Sequence, residues 1–397
     1  MSLGLNHRVT LRFLVMIALS AVYLQADSAD AASRRRNRKR VEKVIHCPVP
    51  VRCQDEIWTV STVHLGCPRR GELSEPCWRV RRYLPGVGWQ TSTATEFFAG
   101  QSPDVINTNY VHGYRVEPCE TIDRGLYVYR LLTSDSCDCS PCDRVLRHVI
   151  WVWPSDKSDA GGRPIKKVVR DVNLKANRAY VDAYYMGWWL SQFHPHTEVN
   201  LMGFSYGSRV ILGALDLVGG GTWCGRALPL GGHNPSIRAD VFAFAAALPC
   251  NALSPGGVDQ RAANVIDCLV NVYNPRDPVL KRFSNLVPSD NVCPMGYVGV
   301  PASARVRYKN VNAARSIGTH HDFMRYVSSP GLMSHMRAMV FNDCRAGDCA
   351  TAACHKVSAT NDRAADSSCE QPNCSNCKTA ARACIDAFAD ATLTEDA

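Results

Sequence analysis

Between residues 56 and 342 short apolar runs alternate with longer stretches in which apolar positions recur every three or four residues. Residues 105–111, 148–153, 199–202, 241–247 and 265–273 are too short for helices, are rich in Val, Ile and aromatic side chains, and read as buried strands. Residues 119–132, 171–193 and 206–218 have helical spacing. Such alternation predicts an α/β fold built on a mostly parallel, doubly wound sheet with helices on both faces. An opening hairpin is expected from 57–65 and 78–84, with a further strand at 306–311 and a closing helix over 322–341. The stripe of Tyr180, Tyr184, Tyr185, Trp188, Trp189 and Phe193 on the middle helix reads as core packing.

The pattern ends on both sides of that region. Residues 343–397 turn to Ala, Asp, Asn, Ser and Cys with almost no large apolar groups, so this Cys-rich tail needs cross-links to be ordered. At the other end Arg8 and Arg12 precede an apolar run, 13–24 (FLVMIALSAVYL), and Ala29-Asp30-Ala31 fits a small-residue cleavage site. A run of that length rises about 18 Å as a helix, short of a bilayer's ~30 Å core, so residues 1–31 are expected to be a signal peptide rather than an anchor. Residues 32–55 then form a basic linker and Cys-containing lead-in, and 56–342 the folded domain.

Charge and cysteine content narrow the class. The 397 residues carry a formal net charge of +9, but RRRNRKR at 34–40 alone supplies six basic groups. The rest of the chain is 9 − 6 = +3, which implies no nucleic-acid face. The basic cluster suits a solvated tether or contact with an anionic envelope surface. Nineteen cysteines suit a secreted or periplasmic, envelope-facing protein whose disulfides can form. The odd number leaves a thiol over, and Cys268, in the apolar run 265–273, is expected to be that one. Cys137, Cys139 and Cys142, and likewise Cys374 and Cys377, have spacings shared by zinc sites and disulfides, and export favours disulfides.

Gly203-Phe204-Ser205-Tyr206-Gly207 matches G-x-S-x-G, a short pattern that gains meaning from its context. It lies between the strand-like 199–202 and a helix, so the serine is expected on a tight strand-to-helix turn with its Oγ at the helix N-terminus. A Cβ at either flanking glycine would collide with backbone there. Asp277, in the turn NPRDP after the strand 265–273, suits the acid that orients a base, and it equally suits a cap on the turn at 279–283. His320 and His321 both suit the base. Gly113, after a strand ending at His112, lets an amide turn toward a substrate oxygen. His112 has no second His or carboxylate at ligand spacing, so no metal is expected.

At these positions the chain resembles the α/β-hydrolase family, in particular secreted or envelope-associated bacterial members of unassigned activity. The resemblance covers about residues 57–342 and rests on Val111-His112-Gly113-Tyr114-Arg115, Trp153-Pro154-Ser155-Asp156, Gly203 to Gly207 with Ser208-Arg209, the segment from Asn274 to Leu280, and Thr319-His320-His321-Asp322-Phe323. It implies an α/β-hydrolase fold, Ser205 as nucleophile, His321 rather than His320 as base, Asp277 as acid, and an oxyanion hole from the backbone N–H groups of Tyr206 and Tyr114 beside Gly113. The expected activity is that of a carboxylesterase or lipase-like serine hydrolase acting on a small-molecule or lipid ester with no cofactor. The competing expectation is a non-catalytic scaffold at the cell surface.

Overall fold

The computed structural model describes residues 51–341 apart from 67–74, 134–143, 157–163, 224, 226, 229–236, 284–286 and 288–291. The expectations for residues 1–31, 34–40 and 343–397, and for Cys137, Cys139, Cys142, Cys374 and Cys377, lie outside the described residues. Among the described residues nine strands form one sheet: β1 (Glu56–Ser61), β2 (Arg79–Leu84), β3 (Gly88–Ser92), β4 (Val105–Val111), β5 (Val145–Val152), β6 (Glu198–Phe204), β7 (Arg238–Phe244), β8 (Ile266–Tyr273) and β9 (Tyr308–Asn312). Their order across the sheet is β3-β2-β1-β5-β4-β6-β7-β8-β9. Only the β1-β2 and β2-β3 pairs are antiparallel; β1 joins the parallel set through β5.

The helices are α1 (Ala94–Ala99), α2 (Pro118–Thr133), α3 (Pro164–Ser191), α4 (Tyr206–Val218), α5 (Met295–Val298), α6 (Ala314–Ile317), α7 (Phe323–Val327) and α8 (Pro330–Val340). Two neighbouring residues of β5 show that α2 and α3 cover opposite faces. A Cβ at Gly125 of α2 would meet the Ile150 side chain, whereas the ring of Trp151 meets Trp189 of α3 at 6.3 Å. Successive strand residues point to opposite faces, so the sheet is covered on both. Accordingly β4 and β5 are buried at every position after the first. Tyr184, Tyr185, Trp188, Trp189 and Phe193 are buried in that core. None of the described helices is long and apolar enough to cross a membrane.

The elements depart from the sequence expectation at four places. The opening hairpin gains a third strand, β3, whose residues are half-buried or exposed with no alternation and whose Trp89 instead packs edge-on against Tyr83. Ala245 to Ala247, expected within a strand, lie beyond β7 and are buried as a loop. The helix begins at Pro164 rather than 171. The closing helix is two, α7 and α8, because Pro330 forces the preceding Ser329 into extended backbone (ψ 112°) and starts a new helix. Helix α1 has a reciprocal cap, Thr93 to the Glu96 N–H and Glu96 back to the Thr93 N–H.

Parallel registers bring the functional loops together. Val111 pairs with Gly203, Phe204 with Phe244, Phe244 with Val272, and Tyr273 with Asn312. The carboxyl ends of β4, β6, β7, β8 and β9 thus finish level at one edge, where sites form in open α/β sheets.

Candidate active site

Ser205 leaves β6 with φ 54° and ψ −117°, a backbone region that costs a non-glycine residue roughly 1–3 kcal/mol. Hydrogen bonds hold it there: its N–H donates to the Phe244 carbonyl at 2.9 Å, and its carbonyl accepts from Ser208 N at 3.1 Å and Ala247 N at 3.2 Å. The flanking glycines are required by close approach, as the sequence suggested. A Cβ on Gly203 would lie 2.7 Å from Ser208 N, and one on Gly207 would overlap the Val111 carbonyl. The turn delivers Ser205 to the first turn of α4, whose N–H groups favour negative charge.

Asp277 makes contacts of both kinds suggested by its sequence context, one with each carboxylate oxygen. Its Oδ1 accepts from the N–H groups of Val279 at 2.9 Å and Leu280 at 3.0 Å, capping the 3₁₀ turn Leu280–Arg282. Its Oδ2 lies 2.6 Å from Nδ1 of His321. Nε2 of His321 lies 3.1 Å from Ser205 Oγ. A carboxylate only accepts, so Nδ1 carries the proton and the neutral ring turns its Nε2 lone pair toward the serine hydroxyl. The Phe204 ring, 5.1 Å from the imidazole centroid, packs against its side. His320 is exposed and its Nδ1 sits 3.2 Å from the Ile317 carbonyl. The structure brings Ser205, Asp277 and His321 into one line and turns His320 away from it.

The loop after β4 reaches the same point. Gly113 passes so close that a Cβ there would be 2.8 Å from the Phe204 ring and 3.3 Å from Ser205 Cβ. Its neighbour His112 is fully buried and both ring nitrogens are engaged. Nε2 accepts from the Trp153 N–H at 3.2 Å, so Nδ1 bears the hydrogen and donates to the Gly113 carbonyl at 3.0 Å. Burial drives its pKa down to about 3, keeping the ring neutral. His112 therefore fastens the glycine loop to β5. Beyond it, Tyr114 donates its hydroxyl to Asp171 of α3, and Arg115, at φ 62°, donates its N–H to the Ser155 carbonyl at 2.8 Å.

A strand, a strained serine turn and a helix at the centre of a mostly parallel sheet, with Asp277 after β8 and His321 after β9, decide the fold. It is an α/β-hydrolase fold. No family model matches the chain, and no curated protein does. Two solved structures of esterase B from Lactobacillus rhamnosis, one inhibited by a C6-C4 Sn3 compound and one by a C4-C4 Sn3 tributyrin phosphonate, are 11% identical to it. The alignments cover 82% of this chain and 96% or 94% of the esterase chains, with a TM-score of 0.35 in both cases.

Three further residues shape the candidate site on this α/β-hydrolase fold. Asn274 donates its Nδ2 hydrogen to the Gly318 carbonyl at 2.9 Å, tying the acid loop to the histidine loop. Arg209, buried in α4, donates to the Ala247 carbonyl at 3.1 Å and lies over the rings of Tyr180, Tyr206 and Phe283. Asp171 pairs with Arg115 at 3.9 Å as well as holding Tyr114. Asn274 and Arg209 stand inside motifs visible in the sequence, and nothing local signals what either touches. Asp171 gives no signal at all beyond its place in a helix.

Proposed function

We propose that the protein is a serine hydrolase cleaving carboxylic esters through an acyl-enzyme on Ser205. The observation that carries this reading is the line from Asp277 Oδ2 through the His321 ring to Ser205 Oγ, with spacings of 2.6 and 3.1 Å, at the strained turn before α4. His321 takes the serine proton as Oγ adds to the ester carbonyl. Asp277 fixes the imidazole tautomer and stabilises the imidazolium. The developing oxyanion is received by the backbone N–H groups of Tyr206, at the start of α4, and of Tyr114, on the loop that Gly113 brings against the serine. His321 then returns the proton to the leaving alcohol, and water repeats the sequence to release the acid. Beyond the ester and water, these steps draw on the named residues. The apolar run 13–24 and the cysteine content support an exported protein.

Labelling the purified protein with a fluorophosphonate tests the reading. Only a base-activated serine attacks such phosphorus readily, so one adduct per chain is expected on Ser205 and none in Ser205→Ala. Folded protein that stays unlabelled would favour the non-catalytic scaffold.

A further inference from the structure

Cys250 and Cys293 face each other across a short antiparallel contact beside the acid loop. Pro249 bridges Pro294. On one side of that bridge the Cys250 N–H donates to the Cys293 carbonyl at 3.0 Å, and on the other the Met295 N–H donates to the Leu248 carbonyl at 2.8 Å. The two cysteines therefore occupy directly opposed positions, where antiparallel Cα atoms are about 5.5 Å apart. Disulfides span Cα separations of roughly 4.4–6.8 Å. Opposed Cβ atoms at such a position lie about 5.5 Å apart on the same face, so bonding asks for a closure of about 1–2 Å. Both are thiols here, Cys293 exposed and Cys250 partly so. The Cys250 thiol is raised above its ordinary pKa by burial and next by the nearby Cys293 thiolate, a further sign that the sulfurs are close.

The contact lies at the end of a strip of backbone hydrogen bonds that connects the site loops. Ala247 donates to the Ser205 carbonyl at 3.2 Å, Gly296 to Ala246 at 2.8 Å, and Asn274 to Gly296 at 2.8 Å, three residues before Asp277. We propose that Cys250 and Cys293 form a disulfide that clamps this strip, so that an oxidising compartment locks the acid loop against the serine turn. The oxidant is another disulfide. The exposed Cys293 thiolate attacks one of its sulfurs, forming a mixed disulfide and releasing one thiol. The Cys250 thiolate then attacks the Cys293 sulfur and releases the second. Two protein thiols are oxidised, one external disulfide is reduced to two thiols, and the atoms balance.

The test uses the whole chain and reads the bond itself, so it stands or falls separately from the activity of Ser205. After incubation with oxidised glutathione, a non-reducing digest should yield peptides joined through Cys250 and Cys293, with alkylation at both falling at least ten-fold. Cys250→Ser should instead trap glutathione on Cys293. Amide exchange at Gly296 and Asn274 should slow at least ten-fold in the oxidised protein. Full alkylation of both thiols, a stable glutathione adduct on Cys293 of the unaltered chain, or bonding of either cysteine to a different one would overturn the pairing. Unchanged exchange at the two amides would overturn the clamp.

Discussion

Ser205 holds a backbone conformation that glycine adopts at no steric cost. Ser205→Ala keeps the Cβ and so keeps the strain, whereas Ser205→Gly removes it. Urea unfolding should therefore find the glycine variant more stable than the alanine variant by about 1–2 kcal/mol, the strain relief exceeding the added unfolded-state entropy. Equal stabilities would show that the turn is relaxed. The two histidines separate as sharply. His321→Ala should reduce turnover of a short-chain aryl ester by at least about 10³-fold, because the imidazole 3.1 Å from Oγ is lost. His320→Ala should cost less than about 10-fold, since that ring is exposed and hydrogen-bonded to Ile317. The reverse order would assign the base to the wrong ring. The sequence offers two adjacent histidines as candidates without separating them, since which ring faces Ser205 depends on the direction the chain takes after Gly318, at φ 65°.

At the scale of elements, legibility follows burial. β4 and α4 match their sequence ranges residue for residue, because both faces of the strand and every position of the helix are enclosed, leaving the apolar pattern unbroken. β3 escapes because an exposed edge strand needs no alternation. Ala245 to Ala247 mislead in the opposite sense: they are apolar because they pack beneath the serine turn, where Ala247 donates to Ser205, and not because they extend the sheet. Asp277 is legible from its turn, yet its double role needs the fold, since capping uses one carboxylate oxygen and the imidazole the other. Asn274, Arg209 and Asp171 act on residues far along the chain, and no local periodicity encodes such contacts.

For the molecule as a whole, buried neutral histidines set an acid limit. His148 of β5 is fully buried, with Nε2 donating to the Gly125 carbonyl at 3.1 Å and Nδ1 2.8 Å from the Thr108 hydroxyl. Burial lowers its pKa to about 4. The unfolded chain binds this proton from about pH 6.5 downward and the folded protein only near pH 4. Stability is therefore complete above about 6.5 and is lost as pH falls through the window to 4. From pH 7 to 4.5 the loss from this residue should be on the order of 2 kcal/mol, seen as the extra acid sensitivity of the native protein over His148→Gln in urea unfolding at the two pH values. Identical pH dependence in both would mean that His148 is protonated in the fold.

The long sequence interval between Ser205 and His321, 116 residues, also bears on when the site first exists. β7, β8 and β9 must be made and paired before the histidine loop has anything to rest on. A ribosome releases Ser205 well before His321, and at bacterial elongation rates of about 5–20 residues per second the gap is on the order of ten seconds. Throughout that time the hydroxyl is an ordinary alcohol. On the proposed reading the interval is a built-in delay, since Ser205 can attack no ester until the end of the domain has emerged.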